Sequence, residues 1–287
     1  MRNHMLRLYH TNTLIITEIA EYSVYADGGI YGYLPVREAP EDIKVGDSVE
    51  AFIYIDAADE VVATMAVPYT EIGECAYLEV IDNGERGTFL DWGLPKDLLL
   101  PYSEQTRTVQ TGDFVVVYVY QDERQRPVAS MRLHRYLEED YEDLKINEAV
   151  DLLIAGKSDL GYKAVINNEQ LGLIYHEELT QPLIIGTRMK GWVSKIREDG
   201  KININVNKLD NETRDDLENE IMAKLKESAG CLHLSDKSSP DLIYARFKVS
   251  KKNFKRALGN LYKKRLINIS PEFIELVTKD GQGNEDN

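Results

Sequence analysis

Between residues 74 and 131, apolar and polar residues alternate in short runs broken by turn-forming residues. The pattern predicts strands over Glu74–Asp82, Gly87–Asp91, Leu98–Pro101, Phe114–Gln121 and Pro127–Met131, each rich in β-branched or aromatic side chains. Asn83-Gly84 predicts a two-residue hairpin turn between the first two. Five strands this short in so small a span point to a small closed barrel. The polar stretch SEQTRTVQT, between Pro101 and Gly112, falls where an OB-type barrel places the helix or turn between its third and fourth strands.

The pattern recurs. At an offset of 66, Leu34, Pro35, Glu38, Gly46, Asp47, Val49, Tyr54, Asp56, Val62, Ala63 and Met65 fall on identical residues from Leu100 to Met131. Upstream the offset is 64, pairing Asp27 and Gly29 with Asp91 and Gly93, so the second copy carries a two-residue insertion, expected in the loop between Gly93 and Leu100. A looser third copy lies 74 residues further on, where Glu178, Gly186, Met189 and Val193 follow Glu104, Gly112, Val115 and Val119. Repeats of this kind mark tandem modules.

After Asn207 the apolar period changes from two to three or four. Glu212–Glu227 predicts a helix with Leu217, Ile221 and Leu225 on one face, and Pro240–Phe247 a second, after Ser238-Ser239. A third starts at the N-cap Ser250 and runs to about Arg265, with Phe254, Leu258 and Leu261 as its apolar side and Lys252, Arg256 and Lys263 together on another. Two short strands, Leu266–Ile269 and Phe273–Val277, complete a winged-helix pattern. The expected organisation is barrels over 1–67, 68–136 and 151–209, a helical connector over 137–150, a winged helix over 210–279 and a loose tail over 280–287.

Charge divides the chain. The net charge is −15, but residues 1–150 carry 12 basic and 28 acidic side chains whereas 151–287 carry 22 and 21. Ala245–Leu266 holds nine Lys or Arg and no acid, so a phosphate-facing surface belongs toward the C-terminus. No apolar run reaches a membrane span and no secretion signal is legible, which predicts a cytoplasmic protein with no membrane partner. Cys75 and Cys231 lack metal-type spacing, and no metal or cofactor is expected.

GYKAVINNEQLGLIYHEEL followed by IGTRMKGWVSKIREDGKININV, in the third module, resembles the S1-type RNA-binding domain, an OB barrel. KVGDSVEAFIYID and QTGDFVVVYVYQD keep its fourth-strand pattern, although Pro35 and Pro101 stand where that family usually has His. Three such barrels ahead of a basic winged helix resemble the conserved virulence factor B family of bacterial RNA-binding regulators, and FLDWGL with LLLP is the most specific local match. The resemblance implies a mainly β fold with a helical C-terminal domain and a role in binding RNA.

In such barrels single-stranded RNA stacks on aromatic side chains of the second and third strands while cations follow the phosphates. The candidate contacts are Phe89 and Trp92 in the second module, and Tyr162, Lys163, Tyr175, His176, Arg188 and Lys190 in the third. Tyr25, Tyr31 and Tyr33 occupy comparable places in the first module, and Lys252, Lys255, Arg256 and Lys263 supply the basic helix face. Each ring has a second role open to it, packing inside a small barrel, because alternation turns about half of them inward. The sequence offers no phosphate loop, nucleophile motif or metal-ligand spacing, and His176 has no nucleophile beside it, so no catalytic residue and no enzymatic activity are expected. The alternatives are a protein-docking adaptor working through the acidic barrels, with a protein of the expression machinery as partner, and a DNA-binding transcription regulator working through the winged helix.

Overall fold

The computed structural model describes residues 6–137, 144–179, 181–206 and 211–277, with side chains from residue 217 in the last span. β1 (Thr11–Ile19), β2 (Val24–Asp27), β3 (Tyr33–Arg37), β4 (Ser48–Ile55) and β5 (Val61–Thr64) close a barrel in the order β1-β2-β3-β5-β4. β6 (Cys75–Asn83), β7 (Gly87–Leu90), β8 (Leu98–Pro101), β9 (Phe114–Gln121) and β10 (Pro127–Ser130) repeat that order. So do β11 (Ala149–Lys157), β12 (Gly161–Ile166), β13 (Gln170–Tyr175), β14 (Arg188–Ile196) and β15 (Ile202–Asn205). In each, the third and fifth strands run parallel, in the strand order of an OB barrel. The first two barrels form one packing unit; most of the third and the helical domain form the other.

One glycine recurs for a backbone reason. Gly46, Gly112 and Gly186 have φ of 94°, 88° and 89°, a region that side chains rarely adopt. In that conformation each donates its N–H to a carbonyl of its barrel's first strand, Ile16, Val80 and Ile154 respectively, at 2.8 Å. The Gly-led start of every fourth strand is thus a closure point.

The predicted strands of the second module match the observed ones to within a residue at each end. Its hairpin differs. Asn83 stays in the ladder opposite Thr88, whose hydroxyl donates to Asn83 Oδ1 at 2.8 Å, and Gly84 N–H donates to Gly87 O, so the turn centres on Glu85-Arg86. The insertion also moves. Val24 pairs with Val36 and Thr88 with Leu100, so Leu34 corresponds to Leu98 and not to Leu100. Glu38 and Glu104 keep the 66-residue spacing because each clamps the end of a fifth strand, accepting from Thr64 and Ser130 respectively. The two extra residues are therefore Tyr102-Ser103, in the 3-10 turn Tyr102–Glu104.

β4 is buried on both faces. Ala51 and Ile53 point into the first barrel, whereas Phe52 and Tyr54 point out and join the core of the second. A continuous apolar run, AFIYI, is what a strand covered on both sides requires.

Asp56 and Asp122 sit at equivalent turns. The Glu60 N–H, then the Ala58 N–H and the Arg37 guanidinium, hold the Asp56 carboxyl below its ordinary value against the opposing effect of burial. At Asp122 burial pushes upward, but the Arg126 guanidinium and the N–H groups of Arg126 and Arg124 outweigh it. A carboxyl lowered by folding stabilises fully above its unfolded pKa of about 4, and that contribution is lost as pH falls through the lower folded value. The urea midpoint of the N-terminal unit is expected to fall below pH ~4, and D56N with D122N should flatten that limb. An unchanged limb in the double variant would refute this assignment.

The helical domain comprises α1 (Asn211–Glu227), β16 (Cys231–Leu232), α2 (Pro240–Phe247), α3 (Lys251–Lys263), β17 (Ile267–Ile269) and β18 (Ile274–Leu276). Ile221, Leu225, Ile243, Phe254, Leu258 and Ile274 are its fully buried centre. Ser239 and Ser250 cap α2 and α3, accepting from Leu242 N–H and Asn253 N–H. The wing has three strands in the order β16-β18-β17; β16, two residues long, is too short to leave a period in the sequence. Of the expected helical connector, 138–143 lies outside the described residues, while a turn at 145–148 leads into β11 at Ala149. The expected tail over 280–287 also lies outside them. Among the described residues no helix is long and apolar enough to cross a membrane, and no His, Cys, Asp and Glu group could hold a metal ion.

Candidate nucleic-acid interface

In the third barrel the site begins with a close approach of two strands. A Cβ on Gly161 would lie 1.9 Å from the Ile174 carbonyl oxygen, so only glycine lets β12 reach the end of β13. The next residue, Tyr162, turns inward and is 4% exposed, its ring edge-on to His176 at 5.5 Å. His176 opens the 3-10 turn His176–Glu178 and is exposed. Its backbone N–H donates to Leu160 O at 3.1 Å, and its Nε2 lies 3.2 Å from the Ser158 carbonyl, to which it can only donate. The imidazole is thus held by the Ser158 carbonyl and the Tyr162 ring while remaining exposed.

The first turn of α3 packs against this 3-10 turn. Lys252 Nζ pairs with the carboxylate of Glu178, which is 3% exposed. Lys251, Lys252 and Lys255 crowd the helix N-terminus with no acid in that turn, an arrangement the helix dipole disfavours unless an anion lies nearby. Glu178 supplies one negative group. A groove of about 510 Å3 runs between the two turns, lined by His176, Glu177 and Leu179 from the barrel and by Pro240, Lys251, Lys252 and Lys255 from the helices.

The structure thus brings together His176, Lys252 and Lys255 of the expected contacts. Arg256 and Lys263 are exposed further round and along α3, Lys163 is exposed on β12, and Tyr175 is half-buried at the end of β13. Arg188 and Lys190 lie on β14, which pairs with β11 and β15 and not with β12 or β13; Lys190 is ion-paired with Asp151 at 2.7 Å.

Two expected base platforms are core residues instead. Tyr162 has the packing role just described. Trp92 is 2% exposed, edge-on to Phe52 at 6.1 Å, with Nε1 donating to Lys96 O at 2.7 Å. Neither ring has a face to offer a base: alternation along β12 turns Tyr162 inward, and Trp92, just past the end of β7, packs against Phe52 of the first barrel. Phe89 is half-buried on the outer side of β7, between Asp82 and Leu99. Its surroundings are acidic: burial, then Asp91 and Asp82, push the nearby Asp97 carboxyl upward. Lys251, Pro240 and the 56% exposed Tyr262 were not among the expected contacts. Lys251, Lys255 and Tyr262 share a narrow arc of the helix, a signal that the sequence carried.

Residues 10–66 and 72–132 match the S1 domain family, and residues 219–276 match the CvfB-like winged helix domain. The Bacillus subtilis protein YitL is 32% identical over 267 residues, 88% of this chain and 87% of its own length. A Staphylococcus epidermidis protein named Conserved virulence factor B is 28% identical over 248 residues, 83% of each chain. Among solved structures, a multidomain protein with nucleic acid binding domains from Streptococcus pneumoniae aligns over 94% of this chain and 98% of its own, at 22% identity and a TM-score of 0.40.

Proposed function

Because the chain belongs to the conserved virulence factor B family, we propose that it binds single-stranded RNA in the groove between the third barrel and α3, and so regulates gene expression after transcription. The observation that carries this reading is the meeting of an exposed imidazole with three lysines on one groove. The ring offers a π-face to an unpaired base, and the lysines serve phosphates as point charges. Tyr175, Lys163, Arg256 and Lys263 extend the surface on both sides, and the net charge of the two halves favours this end of the chain. Arg188 and Lys190, on the β14 ladder, and Phe89, in its acidic setting, are the weaker members of the set.

A single strand fits better than duplex DNA. A helix that reads a major groove does so chiefly with its N-terminal residues; here that turn lies on the barrel, and Lys252 is paired with Glu178.

The test is anisotropy titration of a mixed-sequence single-stranded RNA with the intact chain at several salt concentrations. Each phosphate contact to a single strand contributes about 0.7 to the slope of log affinity against log salt, so K255A and K251A should each lower the slope by about that amount. H176A should weaken binding by about 1–3 kcal/mol with little effect on the slope. K44A, in the first barrel, should change neither. Absence of RNA binding by the intact chain, or wild-type behaviour of K251A and K255A, would overturn the proposal.

A further inference from the structure

The outer face of β1-β2-β3 in the first barrel corresponds to the face on which OB barrels hold their ligands, and its chemistry is unlike that of the groove. Ala26 and Leu34 point inward and are 0% and 1% exposed, so their neighbours Tyr25, Asp27, Tyr33 and Pro35 point outward. The register sets Glu18 opposite Tyr25, Tyr25 opposite Pro35, and Asp27 opposite Tyr33. Two tyrosine rings and a proline are therefore bracketed by two carboxylates across three adjacent strands. Tyr33 is 73% exposed, and beside this row Tyr22 and Ile30 are 89% and 83% exposed. Residues 11–36 contain Glu18, Glu21 and Asp27 and no Lys, Arg or His.

Phosphates are a poor match for this face. The one cation on its strands, Arg37 at the end of β3, is already paired with Asp56 at 2.6 Å, and the two carboxylates repel phosphates. The rings and the acids together match a guanidinium, which lies flat on a tyrosine face while its N–H groups pair with a neighbouring carboxylate. Lysine makes the ion pair but stacks less well, so the face distinguishes arginine from positive charge in general. Exposed tyrosines with this much free surface are also what protein interfaces use as anchors.

We propose that the β1-β2-β3 face of the first barrel is a docking site for an arginine-containing, cationic segment of a partner protein. This site is separate from the RNA groove and does not depend on it.

The probe is a fluorescent four-fold repeat of Gly-Arg, titrated into the intact chain beside a four-fold repeat of Gly-Lys of equal charge. The arginine peptide is expected to bind at least about five-fold tighter. Y33A and the double variant E18Q with D27N are each expected to remove most of that difference. Tyr33 is largely exposed, so Y33A leaves the melting temperature unchanged and folding does not confuse the result. Equal binding of the two peptides, or an arginine preference that persists in Y33A, would show only bulk charge attraction and overturn the site. A loss of single-stranded RNA affinity in Y33A would make this an RNA face, and Tyr33-dependent self-association in sedimentation would make the occupant a second copy; either result also overturns it.

Discussion

Replacing Trp92 with alanine is expected to destabilise the N-terminal unit by about 3–5 kcal/mol, the range for removing a large buried aromatic. The indole is 2% exposed and meets Phe52 edge-on, and Phe52 belongs to the other barrel's fourth strand. The damage should therefore not stay in the second barrel. Tyr9, Phe52, Tyr54 and Val62 share one buried cluster with Leu90, Trp92 and Leu98, so both barrels should lose stability together. Hydrogen exchange in β4 and β7 of W92A should rise in parallel, alongside a lower guanidinium midpoint followed by circular dichroism. W92F separates two contributions: it keeps most of the apolar surface but removes the donor to Lys96 O, an expected cost of about 1–2 kcal/mol. A W92A midpoint within about 1 kcal/mol of wild type would mean that the seam holds nothing together.

The second large effect is expected at Gly161. The methyl of G161A would meet the Ile174 carbonyl oxygen at 1.9 Å and Tyr175 Cα at 2.9 Å, both backbone atoms that cannot swing aside. Relief requires β12 and β13 to separate, at about 3 kcal/mol or more. Tyr175 and His176 hang from the end of β13, so RNA affinity should fall with stability. Gly156 provides the control, since a Cβ there meets nothing within 4 Å, and G156A should stay within about 0.5 kcal/mol of wild type. Thermal melting of the two variants, with RNA titration of each, tests both statements; equal melting temperatures would remove the steric argument.

The shared glutamate of the three modules shows where sequence reasoning stops. Glu38, Glu104 and Glu178 are recognisable as one position from spacing alone. Glu38 and Glu104 hold the end of their own barrel's fifth strand, whereas Glu178 is paired with Lys252 of the winged helix. Lys252 likewise reads as one cation among nine in Ala245–Leu266, and the fold gives it a buried carboxylate to answer. Nothing in the local spacing distinguishes these uses, because the partner is 74 residues away.

What the sequence by itself determined is local or repetitive: the strands, the three helices, two of them capped by serine, the glycine that begins each fourth strand, the three-barrel order and the charge divide. These follow from alternation, caps and backbone constraints that act within a few residues. The tertiary structure decided which aromatics face outward, as with Trp92 and Tyr162, whose rings are buried, and Tyr33, whose ring is exposed. It also decided where the insertion falls, and which cations share the groove with His176. The reason is physical: a two-residue alternation gives each strand two faces, but which of them meets solvent depends on what packs against the barrel from outside.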